Sequence, residues 1–326
     1  MQAGKLPQEF LSKLLAKIDI KDPRVFLGPK IGEDAALIDF TDRYLVAKPD
    51  PITFATDRIG SYLVQVNAND LAVMGATPKW LMATLLFPED TTPEMAELIF
   101  DQVLQACATL GITLVGGHTE VTYDLPRPIA VGVLLGEVDK DQVVLSSGAI
   151  PGDCIVLTKG IAIEGTTILA REVPDALRKA GVGESTLKKA QDLLFNPGIS
   201  IVRDATITRS VVKVHAMHDP TEGGLATGLL EMATASNVGL MINKNSIPIL
   251  TECEQICQAI DLDPLGLIAS GTLLAAVDPS DVPMLINSLE QASIYACEIG
   301  HIVSPEEGFN LNLSSGVQRL PNFERD

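Results

Sequence analysis

The sequence predicts a mixed α/β (α+β) protein of two domains, and three observations lead there. At 326 residues the chain is long enough for two domains of ordinary size. Short aliphatic runs bounded by turn residues alternate with stretches of helical periodicity, the order expected of strands flanked by helices. Aromatic residues make up only 4% against 46% hydrophobic, so the core must be built from Ala, Val, Ile and Leu, which suits buried strands covered by helices.

The elements follow in order. Phe10, Leu11, Leu14, Leu15 and Ile18 recur at helical spacing, so Met1 to Asp22 reads as an amphipathic helix docked on the core. The punctuated run Leu27-Gly28-Pro29-Lys30-Ile31-Gly32-Glu33-Asp34 is a turn. Ala35 to Ile38, Tyr44 to Ala47 and Ile52 to Thr56 read as three short strands. Gly60 to Met74 is a helix with Leu63, Val66, Leu71 and Met74 as its apolar stripe; Gly75 and Pro78 stop it. Trp80 to Phe87 is a strand, and Thr92-Pro93-Glu94 starts a helix that runs to Leu110 and ends at Gly111. Ile112 to Val115 is a strand entering Gly116-Gly117, read as a tight turn, and Pro128 to Val138 is another strand.

Turn chemistry at Gly148-Ala149-Ile150-Pro151-Gly152-Asp153 places the domain boundary near 150, giving domains 1–150 and 151–326. The second half restarts with a strand at Cys154 to Thr158 and a turn at Lys159-Gly160, and a helix begins near Gly165. His215 to Asp219 closes a strand, and Thr221-Glu222-Gly223-Gly224 opens a helix to Ser236. Strands at Ile242 to Ile249, Thr272 to Val277 and Ala296 to Val303 alternate with helices at Glu252 to Ile260 and Pro283 to Gln291; a weak strand and a loose end follow Pro305.

Charge limits the partners. Twenty-four Lys and Arg against 42 Asp and Glu leave a formal net charge of −18, which weighs against nucleic acid and against an anionic membrane surface. No run reaches the ~20 apolar residues of a membrane span, and no signal-peptide core is visible, so a cytoplasmic protein is expected. Five scattered cysteines without a CxxC pair read as reduced thiols; Cys253 and Cys257 share a helix face, but no second pair completes a zinc set.

Several residues could carry chemistry. Asp34, Asp50, Asp57, Asp70 and Asp219 stand in or beside turn-like segments, and any one alone reads first as an ordinary turn residue. Asp70 differs, because it falls in a mostly apolar helix where a carboxylate is costly unless paired or metal-bound. Asn67, Asn69 and Asp70 also bring several oxygen ligands into one turn. Gly28 with Gly32, Gly116 with Gly117, and Gly223 with Gly224 let backbone N–H groups approach a phosphate, the last pair at a helix start that favours an anion. An acidic protein repels a polyphosphate unless Mg²⁺ bridges carboxylate and phosphate oxygens, so aspartates beside glycine turns suit a metal–nucleotide site. Lys48 and Lys159 are candidates for neutralising phosphate charge, or solvated lysines. His118 could be a metal ligand, a catalytic base or a hydrogen-bonded turn residue. His215 and His218 point to opposite sides of a strand, so at most one should see a site.

In order along nearly the whole chain, these motifs resemble the aminoimidazole ribonucleotide synthetase (PurM-like) superfamily. The runs are Gly32-Glu33-Asp34-Ala35-Ala36, Ala55-Thr56-Asp57, Asn69 to Pro78, Val115-Gly116-Gly117-His118-Thr119-Glu120 and Asp219-Pro220-Thr221-Glu222-Gly223-Gly224. The second half is most similar to the branch of the hydrogenase maturation protein HypE, through Asp219 to Ala226 and Leu262-Asp263-Pro264-Leu265. The resemblance implies a homodimer whose N-terminal domains (1–150) bind ATP and metal and pair their sheets into a barrel-like core, with a C-terminal α/β sandwich domain (151–326). It implies Asp34, Asp57 and Asp70 as metal or phosphate ligands. Gly32, Asn69, Gly116, Gly117, Thr119, Asp219, Gly223 and Gly224 would line the nucleotide, and Lys48, His118 and Lys159 are the catalytic candidates.

The sequence also departs from the pattern. HypE-like enzymes finish in a cysteine that carries the carbamoyl group, and no cysteine follows Cys297 here. His118 stands where HypE and the thiamine-monophosphate kinases have Asp; selenophosphate synthetase has His there but needs a reactive N-terminal Cys or selenocysteine, and none precedes Cys107. The expected function is ATP- and Mg²⁺-dependent phosphorylation of an oxygen or other nucleophile on a small molecule or protein-borne group. Two alternatives are a non-catalytic nucleotide-binding assembly protein and a thiamine-monophosphate-kinase-like enzyme. ADP release separates enzyme from binder, and phosphorylated thiamine would mark the kinase.

Overall fold

A computed structural model describes residues 8–30 and 32–323. Residues 1–7 of the expected N-terminal helix, Ile31 of the expected turn, and the last three residues lie outside them. In chain order the elements are α1 (Gln8–Leu15), β1 (Val25–Leu27), β2 (Ala36–Phe40), β3 (Arg43–Ile52), α2 (Ile59–Val73), β4 (Thr77–Phe87), α3 (Pro93–Leu110), β5 (Thr113–Val121) and β6 (Ile129–Asp139). There follow β7 (Cys154–Thr158), α4 (Ile163–Glu172), α5 (Pro174–Lys179), α6 (Glu184–Asp192), α7 (Val202–Val211), β8 (Val214–His218), α8 (Gly224–Ser236), β9 (Gly239–Asn243) and α9 (Thr251–Ile260). Last come β10 (Leu274–Val277), α10 (Val282–Gln291), β11 (Ala296–Val303), β12 (Phe309–Leu313) and β13 (Gly316–Arg319). No helix among the described residues is long and apolar enough to cross a membrane.

The chain folds into two compact units. The smaller comprises residues 22–28 and 35–143. Its six-stranded sheet has the order β1-β2-β3-β6-β4-β5, antiparallel except for the β4–β5 pair, and stays open between β1 and β5. Two expectations change here. The stretch Ile52 to Thr56 is not a separate strand; β3 instead runs through Lys48-Pro49-Asp50-Pro51 to Ile52 along the whole of β6. The prolines fit because β2 pairs only with Arg43 to Ala47, leaving the other edge of β3 open beyond that point, where no N–H is needed.

The second change is at Gly116 and Gly117, which lie within extended strand β5, not in a turn. A Cβ on Gly117 would stand 1.9 Å from the Ala83 carbonyl oxygen, so glycine is what lets β5 lie against β4. Helix α2 is buried nearly all round, with no single apolar stripe; every residue from Ile59 to Val73 except Gln65 is buried. Its close approach to α3 occurs at Gly60, whose N–H donates to Gln102 Oε1 at 3.1 Å. Helix α3 follows its sequence signals. The Thr92 hydroxyl accepts from the Met95 N–H at 3.2 Å, Pro93 opens the first turn, and Gly111 takes the left-handed conformation at φ 68°.

Of the described residues, the larger unit comprises 8–21, 29–30, 32–34 and 144–323. Its seven-stranded sheet has the order β13-β12-β9-β11-β7-β10-β8, and β9–β12 is its parallel pair. Strand β7 sits between β11 and β10 and is buried at every position, which is why Cys154 to Thr158 reads as a continuous apolar run. Helix α8 lays Leu225, Leu229, Met232 and Ala233 into the sheet's core. A satellite core of Leu177, Val182, Leu187 and Ile256 joins α5, α6 and α9. The strand expected at Ile242 to Ile249 is earlier and shorter, Gly239–Asn243, because Lys244 to Ser246 turn into a 3₁₀ helix with the Asn243 side chain accepting from the Asn245 N–H. The tail expected as one weak strand forms the β12–β13 hairpin.

Candidate functional site

In the larger unit, β8 ends at His218, and the chain continues as Asp219-Pro220-Thr221-Glu222 into α8. Gly223 and Gly224 both have positive φ, at 74° and 65°. A Cβ on Gly224 would stand 2.5 Å from the Leu265 carbonyl oxygen, so the approach of this turn to the 265–267 loop also requires glycine. Gly223 caps α8 without a side-chain bond, while the N–H of Gly224 donates to Thr221 O at 3.0 Å and that of Ala226 to Leu265 O at 3.0 Å. Phe323 lies beside this opening, its carbonyl accepting from the Thr227 hydroxyl at 3.2 Å.

Asp34 belongs to the same unit, through the segment 29–34. Gly32 allows that segment to lie against α8; a Cβ there would meet the Ala235 Cβ at 2.8 Å. Ligand atoms of Asp34, His218 and Asp219 all lie within 4.8 Å of one another. His218 is the centre of this group. Its Nδ1 stands 3.2 Å from Asp34 Oδ2, and its Nε2 stands 3.2 Å from Glu231 Oε2. The Ser146 hydroxyl lies 2.8 Å from the same Asp34 oxygen. Burial alone would lower the imidazole pKa, but Asp34 and Glu231 together outweigh it and hold His218 well above the ordinary histidine value. The opposite-face expectation holds in these contacts. His215 lies three residues earlier and pairs with Asp153 Oδ1 at 2.8 Å, away from this group.

Lys159 stands in a left-handed turn, φ 63°, at the end of β7. Its ammonium is buried, 3.4 Å from Asp204 Oδ1, and donates to the carbonyls of Ser200 at 2.7 Å and Gly198 at 3.3 Å. Asp204 Oδ1 also accepts from the Thr158 hydroxyl at 2.8 Å. Burial pushes the Lys159 pKa down against the pull of Asp204. The charge expected to face a phosphate is thus directed at a carboxylate and two carbonyls of its own unit.

The other expected residues belong to the smaller unit. Asp70 is buried on α2, with Lys48 Nζ of β3 3.2 Å away, which is the pairing that a carboxylate in an apolar helix requires. Asn69 is fully buried beside it, and the Asn67 amide donates to Leu63 O at 2.8 Å and Asp50 O at 3.3 Å. Asp57 is exposed just before α2. Gly116, Gly117, His118 and Thr119 line a groove of about 380 Å³ with Ala83 and Phe100. His118 is exposed there, its Nε2 2.9 Å from Glu120 Oε2.

The structure therefore gathers Asp34 with Asp219, and Asp70 with Lys48 and Asn69. It puts Asp34 in a different unit from Asp57 and Asp70, the residues expected to share its metal role. Glu231 and Ser146 were not anticipated. Glu231 carried a usable signal, a lone carboxylate in the apolar helix Gly224–Ser236, the same signal that marked Asp70.

Comparison with known proteins places the chain. Residues 32–138 match the family described as AIR synthase related protein, N-terminal domain, and residues 151–310 the corresponding C-terminal domain. A protein of Methanocaldococcus jannaschii assigned to hydrogenase expression/formation is 30% identical over 294 residues, covering 88% of this chain and 84% of its own. The carbamoyl dehydratase HypE of Rhizobium leguminosarum bv. viciae is 27% identical over 285 residues, covering 82% and 74%. The solved structure of a hydrogenase maturation protein HypE in complex with ATP shares the fold at a TM-score of 0.69 and 22% identity, covering 97% of this chain and 95% of its own.

Proposed function

The chain belongs to the AIR synthase related family, and on that premise we propose that it is an ATP-using enzyme that transfers the γ-phosphoryl group to an oxygen or other nucleophile of an acceptor, with a divalent cation. The observation that carries this reading is the convergence of Asp34 and Asp219 beside the glycine-opened start of α8. The HypE structure bound to ATP supports it by shared fold.

The donor set fits a divalent cation. Asp34 and Asp219 supply carboxylate oxygens in a half-buried to buried setting, where charge interactions are screened little by water. Such an ion would neutralise phosphate charge and orient the transferred group. The chain's own residues do the positioning. The Ser146 hydroxyl and His218 fix one oxygen of Asp34, and left-handed Gly223 and Gly224 set the start of α8 where Asp219 enters. In the smaller unit, Asp70 with Lys48 and Asn69, together with Asp57, Gly116, Gly117 and Thr119, are proposed as further nucleotide or metal contacts, and His118 with its partner Glu120 as an acid–base candidate. Lys159 we assign to holding the 198–200 turn against Asp204.

A homodimer is part of this reading. Strand β5 is exposed along nearly its whole length and, among the described residues, pairs only with β4, so a second copy can add to that edge. The exposed side chains Met82, Val115 and Val121 give that edge apolar area to bury.

The test is turnover. Purified protein with ATP and Mg²⁺ should release ADP, and Asp219→Asn or EDTA should stop it. ATP binding without turnover, at any tested acceptor, would replace this reading by a non-catalytic nucleotide-binding one.

A further inference from the structure

Two cysteines on one face of α9 take no part in the chemistry proposed above. We propose that Cys253 and Cys257, with the Thr166 hydroxyl beside them, form a site for one soft monovalent cation, Cu⁺, in the interior of the larger unit. This site does not rest on the ATP reading.

Geometry is the first argument. Cys253 and Cys257 lie one helical turn apart on α9, and their sulfurs are 3.9 Å from each other. Two sulfurs bound to one metal at about 2.3 Å stand about 3.8 Å apart at a tetrahedral angle and about 4.6 Å apart in line. The pair is therefore at bridging distance with the helix intact. A disulfide fits the same pair poorly. Residues i and i+4 on a helix have Cβ atoms about 5–6 Å apart, whereas a disulfide needs about 3.5–4.5 Å. A metal spans that gap, while a sulfur–sulfur bond would require the turn to unwind.

The third donor is the second argument. Thr166 stands in the first turn of α4, which packs against α9. Its hydroxyl is fully buried and reaches the Cys253 sulfur, yet it makes no hydrogen bond of good geometry among the described residues. A buried polar group left in that state costs stability. A cation between the sulfurs gives the Thr166 oxygen a partner.

The donor set selects the ion. No third Cys, His, Asp or Glu joins the two sulfurs among the described residues. A structural zinc needs four ligands, so the set is too small for Zn²⁺. Mg²⁺ prefers oxygen and keeps its water, and the two cysteines are only 0% and 2% exposed. Thiolate sulfur is a soft ligand that selects Cu⁺, a closed-shell ion satisfied by two or three donors. Two thiolates and one Cu⁺ leave a single negative charge. Cys253 is the third residue of α9, where the positive end of the helix dipole offsets that charge.

The surroundings hold the donors in place. Both cysteines belong to the apolar core under the seven-stranded sheet, and Ile256 packs into the satellite core with Leu177 and Leu187. Helix α9 is thus held from two sides. Entry of the ion requires a local opening of α9, so binding and release are slow.

The test uses the full chain, reduced and under argon, with Cu⁺ delivered as its coloured ferrozine complex and the mixture left to reach equilibrium. The expected result is transfer of one Cu⁺ per chain, with two sulfur neighbours per copper in X-ray absorption. Cys253→Ala and Cys257→Ala should each weaken binding by more than the roughly 10- to 100-fold that loss of a supporting group costs, and Thr166→Val by about 10-fold. The triple variant Cys107→Ala, Cys154→Ala, Cys297→Ala keeps only the pair and should bind as the wild type does. Thermal melts without copper identify any variant that fails to fold, and the X-ray absorption of the wild type needs no variant. Retention of all Cu⁺ by ferrozine, fewer than two sulfurs on the copper, unchanged binding in a folded Cys253→Ala or Cys257→Ala, or lost binding in the folded triple variant would overturn the proposal. The two thiols would then be core residues hydrogen-bonded to each other.

Discussion

Lys159 and Asp204 face each other at 3.4 Å in the interior of the larger unit, both less than a tenth exposed. Two charges taken out of water are tolerable only because each is completed by other partners, two carbonyls for the lysine and the Thr158 hydroxyl for the aspartate. The pair ties the end of β7 to the start of α7 and to the 198–200 turn. Asp204→Ala should therefore destabilise the protein by about 3–5 kcal/mol, because it leaves a buried ammonium without its carboxylate. The double change Lys159→Met with Asp204→Leu should recover most of that loss. Urea unfolding of the wild type and the two variants checks both. Wild-type stability in Asp204→Ala would mean that the pair is not structural.

Gly117 tests the correction made to β5. Gly117→Val should force β5 away from the Ala83 carbonyl, at a cost of about 1–3 kcal/mol. A melt lowered by several degrees is expected. Unchanged stability would mean that β5 does not lie on β4 as described.

Asp70 tests the smaller unit's part in nucleotide binding. Asp70→Asn keeps the shape of the side chain and a hydrogen-bond acceptor for Lys48, so a stability loss of only about 1 kcal/mol is expected. Mg²⁺-dependent ATP binding should disappear in the same variant, measured by calorimetric titration. Normal binding would remove Asp70 from the proposed site.

The thiols give a pH prediction. Burial pushes Cys107 to about 11, and burial together with Glu298 pushes Cys154 to about 11. At pH 8 only about 0.1% of such a thiol is thiolate, and the fraction rises about tenfold per pH unit until the pKa is reached. Native protein at pH 8 should thus react with a thiol reagent at these two positions about 100-fold more slowly than an unperturbed thiol at its ordinary value of 9.0. Denaturant should release all five cysteines at once. Fast reaction of Cys107 or Cys154 in the native protein would contradict the burial described.

Much of the fold was legible because local signals and tertiary packing agree. Thr92, Pro93 and Gly111 bracket α3 with capping chemistry that acts within a few residues. Gly223-Gly224 marks the start of α8 in the same way. The failures are tertiary. Pro49 and Pro51 read as strand breakers, and only the short length of β2 makes them admissible in β3. Gly116-Gly117 reads as a turn, and only the closeness of Ala83 shows that the glycines serve strand packing. In the site, Asp34 and Asp219 could be nominated from turn-like context, but 184 residues separate Asp34 from His218, and no local pattern joins them. The inward orientation of Lys159 was equally invisible, because it depends on Asp204 in a different helix.

The central claim is a metal–nucleotide site, and a thermal melt tests it most directly. The protein is melted with and without ATP, each with Mg²⁺, with Mn²⁺ or with EDTA. A ligand at 100 times its dissociation constant stabilises by about 2.7 kcal/mol, a rise of roughly 5–10 °C for units of this size. The account predicts that rise only when ATP and a divalent cation are present together. No rise at millimolar ATP with either cation would contradict it.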